Sequence, residues 1–137
     1  MDSQISNLFD LEILAKTIYG EASGEPWIGK IAVGWTAKNR LAAESWFGKS
    51  IHEICLKPFQ YSCWNDGPLQ IRIAELKWDT TYTHACLGAA FMVLLELTSD
   101  PTSGATHYHR AGDTPAWAAG QTPTIQIGQH LFYKDIP

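Results

Sequence analysis

The 137 residues suffice for one folded domain, 1–137, and 45% hydrophobic with 18% charged residues is typical of a globular protein. The formal net charge of −4 argues against a nucleic-acid-binding protein, which normally carries a clustered basic surface. Six tryptophans, five tyrosines and five phenylalanines supply many flat apolar rings. Such rings serve either a core or a groove that stacks on sugars.

The N-terminal segment and the cysteines narrow the class of protein further. Residues 1–10 are polar and acidic, unlike a signal peptide, and we expect a flexible or capping segment there. The longest apolar stretch, 85–95, is too short to span a bilayer, so no membrane insertion is expected. Three cysteines make a poor disulfide framework, and whether Cys55 and Cys63 pair stays open. At least one free thiol suits a reducing compartment such as the cytoplasm.

Helical periodicity runs through the first two-thirds of the chain. It predicts a first helix over about 11–22, capped by Asn7 or Asp10. A second helix is expected to have Pro26 in its first turn and to run to about Leu41. Further helices are predicted at about 50–56, 69–78 and 84–97, with a loop at 57–68.

The last third of the chain has strand patterns instead. Residues 105–110 have the alternating pattern of a strand, and a glycine lies near each end of this segment. Residues 124–127 and 130–133 flank Gly128-Gln129, a two-residue hairpin turn with glycine first. Helices followed by a small antiparallel sheet predict an α+β fold.

Glu21 is the first candidate for chemistry. It lies two helical turns after Leu14 on an apolar face, where loss of water disfavours the charged form of a carboxyl group, as a general acid requires. A structural carboxylate at a helix end is the alternative. Glu25 lies just before Pro26, where it either caps the next helix or supports Glu21.

Two other segments carry polar and aromatic groups. The loop at 59–64 includes Gln60, Ser62 and Trp64, which suit either sugar binding or core packing. His107 and His109 alternate, so on a strand they share a face. They could bind zinc together with Glu21 or His84, or line a polar groove. Cys63 with His107 as its base is a further option without a supporting motif.

Five ordered blocks carry a resemblance to a known family. These are residues 18–26 (IYGEASGEP), 29–33 with Asn39-Arg40, 60–64 (QYSCW), 100–108 and 127–133 (IGQHLFY). Together they strongly resemble the SleB/CwlJ-type cell-wall hydrolase family, which includes spore-cortex-lytic enzymes and related phage proteins. The resemblance covers about residues 11–133.

The resemblance implies a fold related to lysozymes and lytic transglycosylases, and cleavage of peptidoglycan between N-acetylmuramic acid and N-acetylglucosamine. It implies that Glu21 is the catalytic acid, and that one carboxylate suffices if the muramic C6 hydroxyl attacks C1 and leaves a 1,6-anhydro end. Candidate substrate-binding residues are Glu25, Gln60, Ser62, Trp64, Thr106, His107, Tyr108 and Tyr133. We expect no cofactor or metal, and a monomer that binds the glycan strand.

The same resemblance guides the expected biological role. Spore members usually carry a signal peptide and a wall-binding region, which this sequence does not show. We therefore expect a phage endolysin-like enzyme, held in the cytoplasm until it is released to the cell wall. The alternative function is a metal-dependent peptidoglycan amidase or peptidase that uses His107 and His109.

Overall fold

Five α-helices precede a small sheet in the computed structural model, which describes residues 2–137, with side chains from residue 8 onward. The helices are α1 (Asp2–Ala22), α2 (Trp27–Ala43), α3 (Ile51–Leu56), α4 (Pro68–Ala74) and α5 (Thr81–Leu94). The strands are β1 (His107–Arg110), β2 (Ile125–Ile127) and β3 (His130–Tyr133). Single 3-10 turns lie at Ser62–Trp64 and Ala116–Ala118. The predicted α+β arrangement is confirmed.

Helix α1 is central and contacts the other four helices. Its residues Leu14 and Ile18 are fully buried, because positions three and four apart share a face. The helix begins at Asp2, so the predicted caps were wrong: Asn7 and Asp10 lie inside it. Asp10 instead accepts a hydrogen bond from the backbone amide of His52 at 2.9 Å, and the His52 Nδ1 atom lies 2.7 Å from the same oxygen. This carboxylate therefore fixes α3 against α1.

Prolines mark the starts of α2 and α4. Pro26 occupies the N-cap position of α2, which begins one residue later at Trp27 rather than with proline in its first turn. Pro68 opens α4, where its missing N–H costs no helical hydrogen bond. The helix ends at Ala74, short of the predicted end at Trp78.

Helix α5 starts earlier than predicted because of two threonines. Thr83 N donates to Thr80 Oγ1 at 3.2 Å, and Thr80 N donates to Thr83 Oγ1 at 3.0 Å. This reciprocal pair is a capping box, so the helix begins at Thr81 and ends at Leu94 instead of spanning 84–97. Among the helices of the described chain, none is both long and apolar enough to cross a membrane.

The sheet is antiparallel, in the order β1-β3-β2. His107 pairs with Tyr133 at one end of the β1–β3 ladder, and Ile127 pairs with His130 next to the hairpin turn. Gly128 has a φ of 56° in that turn, a conformation that favours glycine. The predicted β2–β3 hairpin is therefore confirmed.

The loop before β1 is fastened to α2. Asn39 Nδ2 donates to Asp100 Oδ2 at 2.8 Å and to the carbonyl of Ala105 at 2.9 Å. Asp100 also accepts from the backbone amides of Thr102 (2.8 Å) and Gly104 (2.9 Å). These contacts place the start of β1 beside the C-terminal half of α2.

Candidate active site

Glu21 lies in the last turn of α1, on a cleft of about 580 Å³. Leu14 and Ile18, earlier on the same face, are fully buried, whereas Glu21 is half-buried. The apolar face of α1 thus leaves the core at Glu21, whose carboxyl group lies at the cleft.

Three donors from two distant segments hold this carboxyl group. Ser62 Oγ and the backbone amide of Cys63 donate to Oε2 at 3.1 and 2.9 Å. The hydroxyl of Tyr108 donates to Oε1 at 2.5 Å. The two oxygens are therefore oriented separately, one by the 3-10 turn at 62–64 and the other by β1.

The 3-10 turn approaches α1 closely because position 20 has no side chain. A Cβ atom on Gly20 would lie 2.5 Å from Cδ1 of Ile73 and 2.7 Å from Sγ of Cys63. Trp64 then fixes the turn, since its Nε1 donates to Thr17 Oγ1 at 2.8 Å. Trp64 packs against the core and does not line the cleft, so its structural role is an anchor.

Tyr108 is surrounded by other rings. Its ring centroid lies 4.9 Å from that of His130, 5.5 Å from Phe132 and 6.3 Å from Tyr61. Burial, followed by the negative charge of Glu21, raises the pKa of Tyr108 well above its ordinary value. The phenol therefore keeps its proton and acts as a donor to Glu21.

Four of the predicted site residues share the cleft with groups from both halves of the chain. Glu21, Gln60, Ser62 and Tyr108 all line it. The other lining residues are Gly20, Arg40, Phe59, His109, Arg110, Asp113, Pro115, Trp117 and His130.

Three further predicted residues lie outside the lining, on or next to β1 and β3. The Oγ1 atom of Thr106 is 2.8 Å from Nδ1 of His107. The hydroxyl of Tyr133 is 2.8 Å from Nε2 of His109, and the two rings are stacked. These side chains support the wall of the cleft, and their predicted contact with substrate stays a prediction.

Glu25 also lies outside the lining, where it joins the α1–α2 corner to the β2–β3 turn. Its Oε1 accepts a hydrogen bond from the backbone amide of Gln129 at 2.9 Å and lies 3.6 Å from Nδ1 of His130. A Cβ atom on Gly128 would collide with that oxygen. Burial lowers the pKa of His130, while the charge of Glu25 opposes this. The geometry makes Glu25 a positioning residue.

Trp117 and Arg40 were not predicted as site residues. The centroid of the Trp117 ring lies 5.1 Å from the ring centroids of His107 and Tyr133 and 5.7 Å from that of His109. Its segment has no periodic pattern, so no sequence signal marks it. Arg40 belongs to the Asn39-Arg40 block, which was noted for the resemblance without a role.

The comparisons with known proteins agree with this architecture. The family described as Cell Wall Hydrolase matches residues 24–133. The chain belongs to the cell wall hydrolase family. Glu21 lies just before the matched range, so its placement depends on the geometry above.

Curated relatives of the chain are spore cortex-lytic enzymes. That of Halalkalibacterium halodurans is 31% identical over 124 residues, which cover 90% of this chain and 34% of the relative. That of Bacillus subtilis is 29% identical over 124 residues, covering 90% of this chain and 37% of the relative. The chain thus spans little more than a third of the length of these two proteins.

Two solved structures share the fold. The catalytic domain of the Bacillus cereus SleB protein aligns with a TM-score of 0.71 at 25% identity, covering 91% of this chain and 89% of that one. The catalytic domain of the germination-specific lytic transglycosylase SleB from Bacillus anthracis aligns with a TM-score of 0.70 at 25% identity, covering 91% and 93%. The expected lysozyme-like fold is confirmed.

The histidines of the described residues do not form a metal site. Within the residues described, no group of three His, Cys, Asp or Glu side chains could hold a metal ion. His109 Nδ1 lies 2.8 Å from the carbonyl of Arg110. His84 does not line the cleft, and its Nε2 lies 3.0 Å from the carbonyl oxygen of Trp78. The metal-dependent alternative therefore lacks a ligand set in this part of the chain.

The cysteines offer no nucleophile either. Cys55, Cys63 and Cys86 are free and buried, so Cys55 and Cys63 do not pair. Burial raises the pKa of the Cys55 thiol to about 12 and that of the Cys63 thiol further still. A thiolate at Cys63 is therefore disfavoured, and the Cys63–His107 option fails on electrostatic grounds.

Proposed function

We propose that this chain cleaves the glycan strand of peptidoglycan between N-acetylmuramic acid and N-acetylglucosamine, with Glu21 as the proton donor. The observation that carries the proposal is the Glu21 carboxyl group, which faces the cleft and is held by Ser62, Cys63 and Tyr108. Membership of the cell wall hydrolase family and the likeness to SleB catalytic domains support the same activity.

The proposed reaction is that of a lytic transglycosylase. Protonated Glu21 gives its proton to the glycosidic oxygen as the bond to muramic C1 breaks, and positive charge develops at C1. The resulting carboxylate takes the proton of the muramic C6 hydroxyl, whose oxygen bonds to C1. The products are a 1,6-anhydromuramic end and a new hydroxyl on the leaving sugar, and Glu21 recovers its proton.

Hydrolysis would require a second carboxylate or an activated water at the same cleft. Asp66 and Asp100 do not line the cleft, and Asp100 is engaged in the loop before β1. Asp113 does line it, after the turn at Gly112, but it is exposed and no described group fixes its carboxylate. A freely moving carboxylate is a poor nucleophile or base, which favours transglycosylation.

The rest of the cleft is suited to holding sugars. Gln60 and Ser62 offer polar groups in the same cleft as Glu21, and Trp117, in the 3-10 turn at Ala116–Ala118, offers a large ring. We propose that Trp117, rather than Trp64, is the stacking surface for a sugar ring, because Trp64 is an anchor of the 3-10 turn.

Product mass spectrometry tests the reaction. Purified sacculi are digested with the wild-type protein, with Glu21→Gln and with Asp113→Asn. We expect soluble muropeptides one water lighter than hydrolytic products, a rate about 100- to 10,000-fold lower for Glu21→Gln, and the same light products at a similar rate for Asp113→Asn.

Other products would lead to different conclusions. Reducing-end muramic acid that disappears with Asp113→Asn would mean hydrolysis by two carboxylates. Intact glycan strands with released stem peptides would overturn glycan cleavage altogether.

We also propose an endolysin-like role, in which a monomer reaches the wall only after release from the cytoplasm. Expressing the chain in bacteria with and without a separate hole-forming membrane protein tests this. We expect lysis only when that protein is present, and lysis without it would contradict the role.

A further inference from the structure

Arg40 is a buried cation on the wall of the cleft. It is only 5% exposed, and its guanidinium carbon lies 4.9 Å from the ring centroids of both Phe47 and Tyr61. Its Nε donates to the carbonyl of Thr106 at 2.7 Å, and its Nη1 donates to Oε1 of Gln60 at 3.3 Å. The aromatic rings and the carbonyl fix the plane of the guanidinium.

No described carboxylate neutralises this charge. The ion pairs found from residue 8 onward involve Lys16, Lys38, His52 and His130, and none involves Arg40. Nη2 of Arg40 has no hydrogen-bond partner among the described residues. It still reaches solvent, because the fully buried side-chain polar atom found without a partner is His130 Nδ1 and not this nitrogen. A buried charge is costly unless it is paired.

The chemistry of the cleft limits what Arg40 can bind. Positive charge develops at muramic C1 during the proposed reaction, so a cation aimed at C1 would raise the barrier. A planar guanidinium instead matches a carboxylate, to which it donates two parallel hydrogen bonds. The side-chain amide nitrogen of Gln60, Nε2, has no hydrogen-bond partner among the described residues, and it offers a further donor beside Arg40.

We propose that Arg40 and Gln60 form a subsite that binds a carboxylate carried by the glycan strand. The proposal rests on the proposed function and specifies its substrate. Peptidoglycan offers two sources of a carboxylate near the glycan: the lactyl group of a muramic acid without its peptide, and the stem peptide itself.

Binding measured without cleavage tests the subsite. In a Glu21→Gln background, calorimetry gives the Kd for peptide-free glycan strands, which carry free lactyl carboxylates, and for the same strands amidated with methylamine. Peptide-bearing strands, with and without amidation, form the second pair. Gln60→Glu places a carboxylate within reach of Arg40, and this carboxylate occupies the guanidinium group. Gln60→Met is the matched uncharged control, which leaves Arg40 in place.

We expect amidation to weaken binding at least about tenfold in one of the two pairs, as charged hydrogen bonds require. Gln60→Glu should reduce that discrimination to about twofold or less, whereas Gln60→Met, which removes one donor but leaves the guanidinium of Arg40 free, should keep a reduced discrimination above about twofold. Discrimination in the peptide-free pair identifies the lactyl group, and discrimination in the peptide-bearing pair alone identifies the stem peptide.

Equal binding of carboxylated and amidated strands in both pairs would overturn the subsite, as would full discrimination in Gln60→Glu. Either result would leave Arg40 as a packing residue between two rings. Cleavage of the same strands by the wild-type protein is measured separately. Absence of cleavage would contradict the proposed function, whereas the binding comparison stands on its own.

Discussion

Tyr108 and Ser62 both donate a hydrogen bond to Glu21, but from different surroundings. Tyr108 is packed among aromatic rings, so water cannot easily replace its hydroxyl. Ser62 is exposed at the cleft, where water can take its place. The same kind of contact should therefore contribute unequally to the orientation of the carboxyl group.

We predict that Tyr108→Phe lowers the rate of muropeptide release about 10- to 100-fold, the effect of losing a buried hydrogen bond to a charged group. Ser62→Ala is the matched comparison, and it should lower the rate only a few-fold. Initial rates on sacculi and the Tm of each variant are the measurements. Equal rates for the two variants would contradict the assignment of Tyr108 as the main orienting donor.

At the scale of elements, the site depends on how closely the 3-10 turn at 62–64 approaches α1. The backbone amide of Cys63 reaches Glu21 at 2.9 Å because Gly20 leaves room for the Cys63 and Ile73 side chains. Helical propensity alone would favour alanine over glycine inside α1. Close packing takes precedence here over local preference.

Gly20→Ala should therefore destabilise the fold by about 1–3 kcal/mol, the usual effect of overpacking a core, and should reduce cleavage by displacing the Cys63 amide. Gly24→Ala is the control, because a Cβ atom at Gly24 would meet nothing within 4 Å. Denaturant unfolding compares the two. A Gly20→Ala variant as stable and active as the control would show that the turn can move freely.

The difference between local and distant contacts also explains what the sequence could predict. Glu21 lies on a long helix with clear periodicity, and Gly128 opens a recognisable hairpin, so the sequence predicts the helical position of Glu21 and the β2–β3 turn. The capping pair Thr80 and Thr83 was missed because threonine is equally common in loops. Arg40 and the orienting role of Tyr108 depend on residues far away in the chain, which no local pattern records.

At the scale of the whole molecule, histidines in and behind the aromatic wall of the cleft fold in the neutral form. Burial, and then the charge of Arg40, lower the pKa of His107 from its ordinary 6.5 to about 4. Burial lowers the pKa of His130 as well. The folded state thus binds fewer protons than the unfolded chain between these values, and its stability falls as the pH falls through that window.

We predict that the Tm decreases as the pH is lowered from 7 towards 4.5, and that His107→Gln flattens part of this decrease. The substitution removes the proton that the unfolded chain takes up near pH 6.5. Thermal unfolding followed by circular dichroism over this range measures both. Parallel curves for the two proteins would mean that other groups, not His107, cause the loss.

The order of strands has a consequence for synthesis. Strand β3 lies between β1 and β2, yet the other helices and strands described within residues 2–137 precede it. A nascent chain on the ribosome can form its helices, but β1 has no partner until 130–133 have emerged. The Tyr108 hydroxyl is therefore brought to Glu21 only after residues 130–133 have been synthesised, so a product that stops before them carries the acid without the strand that orients it.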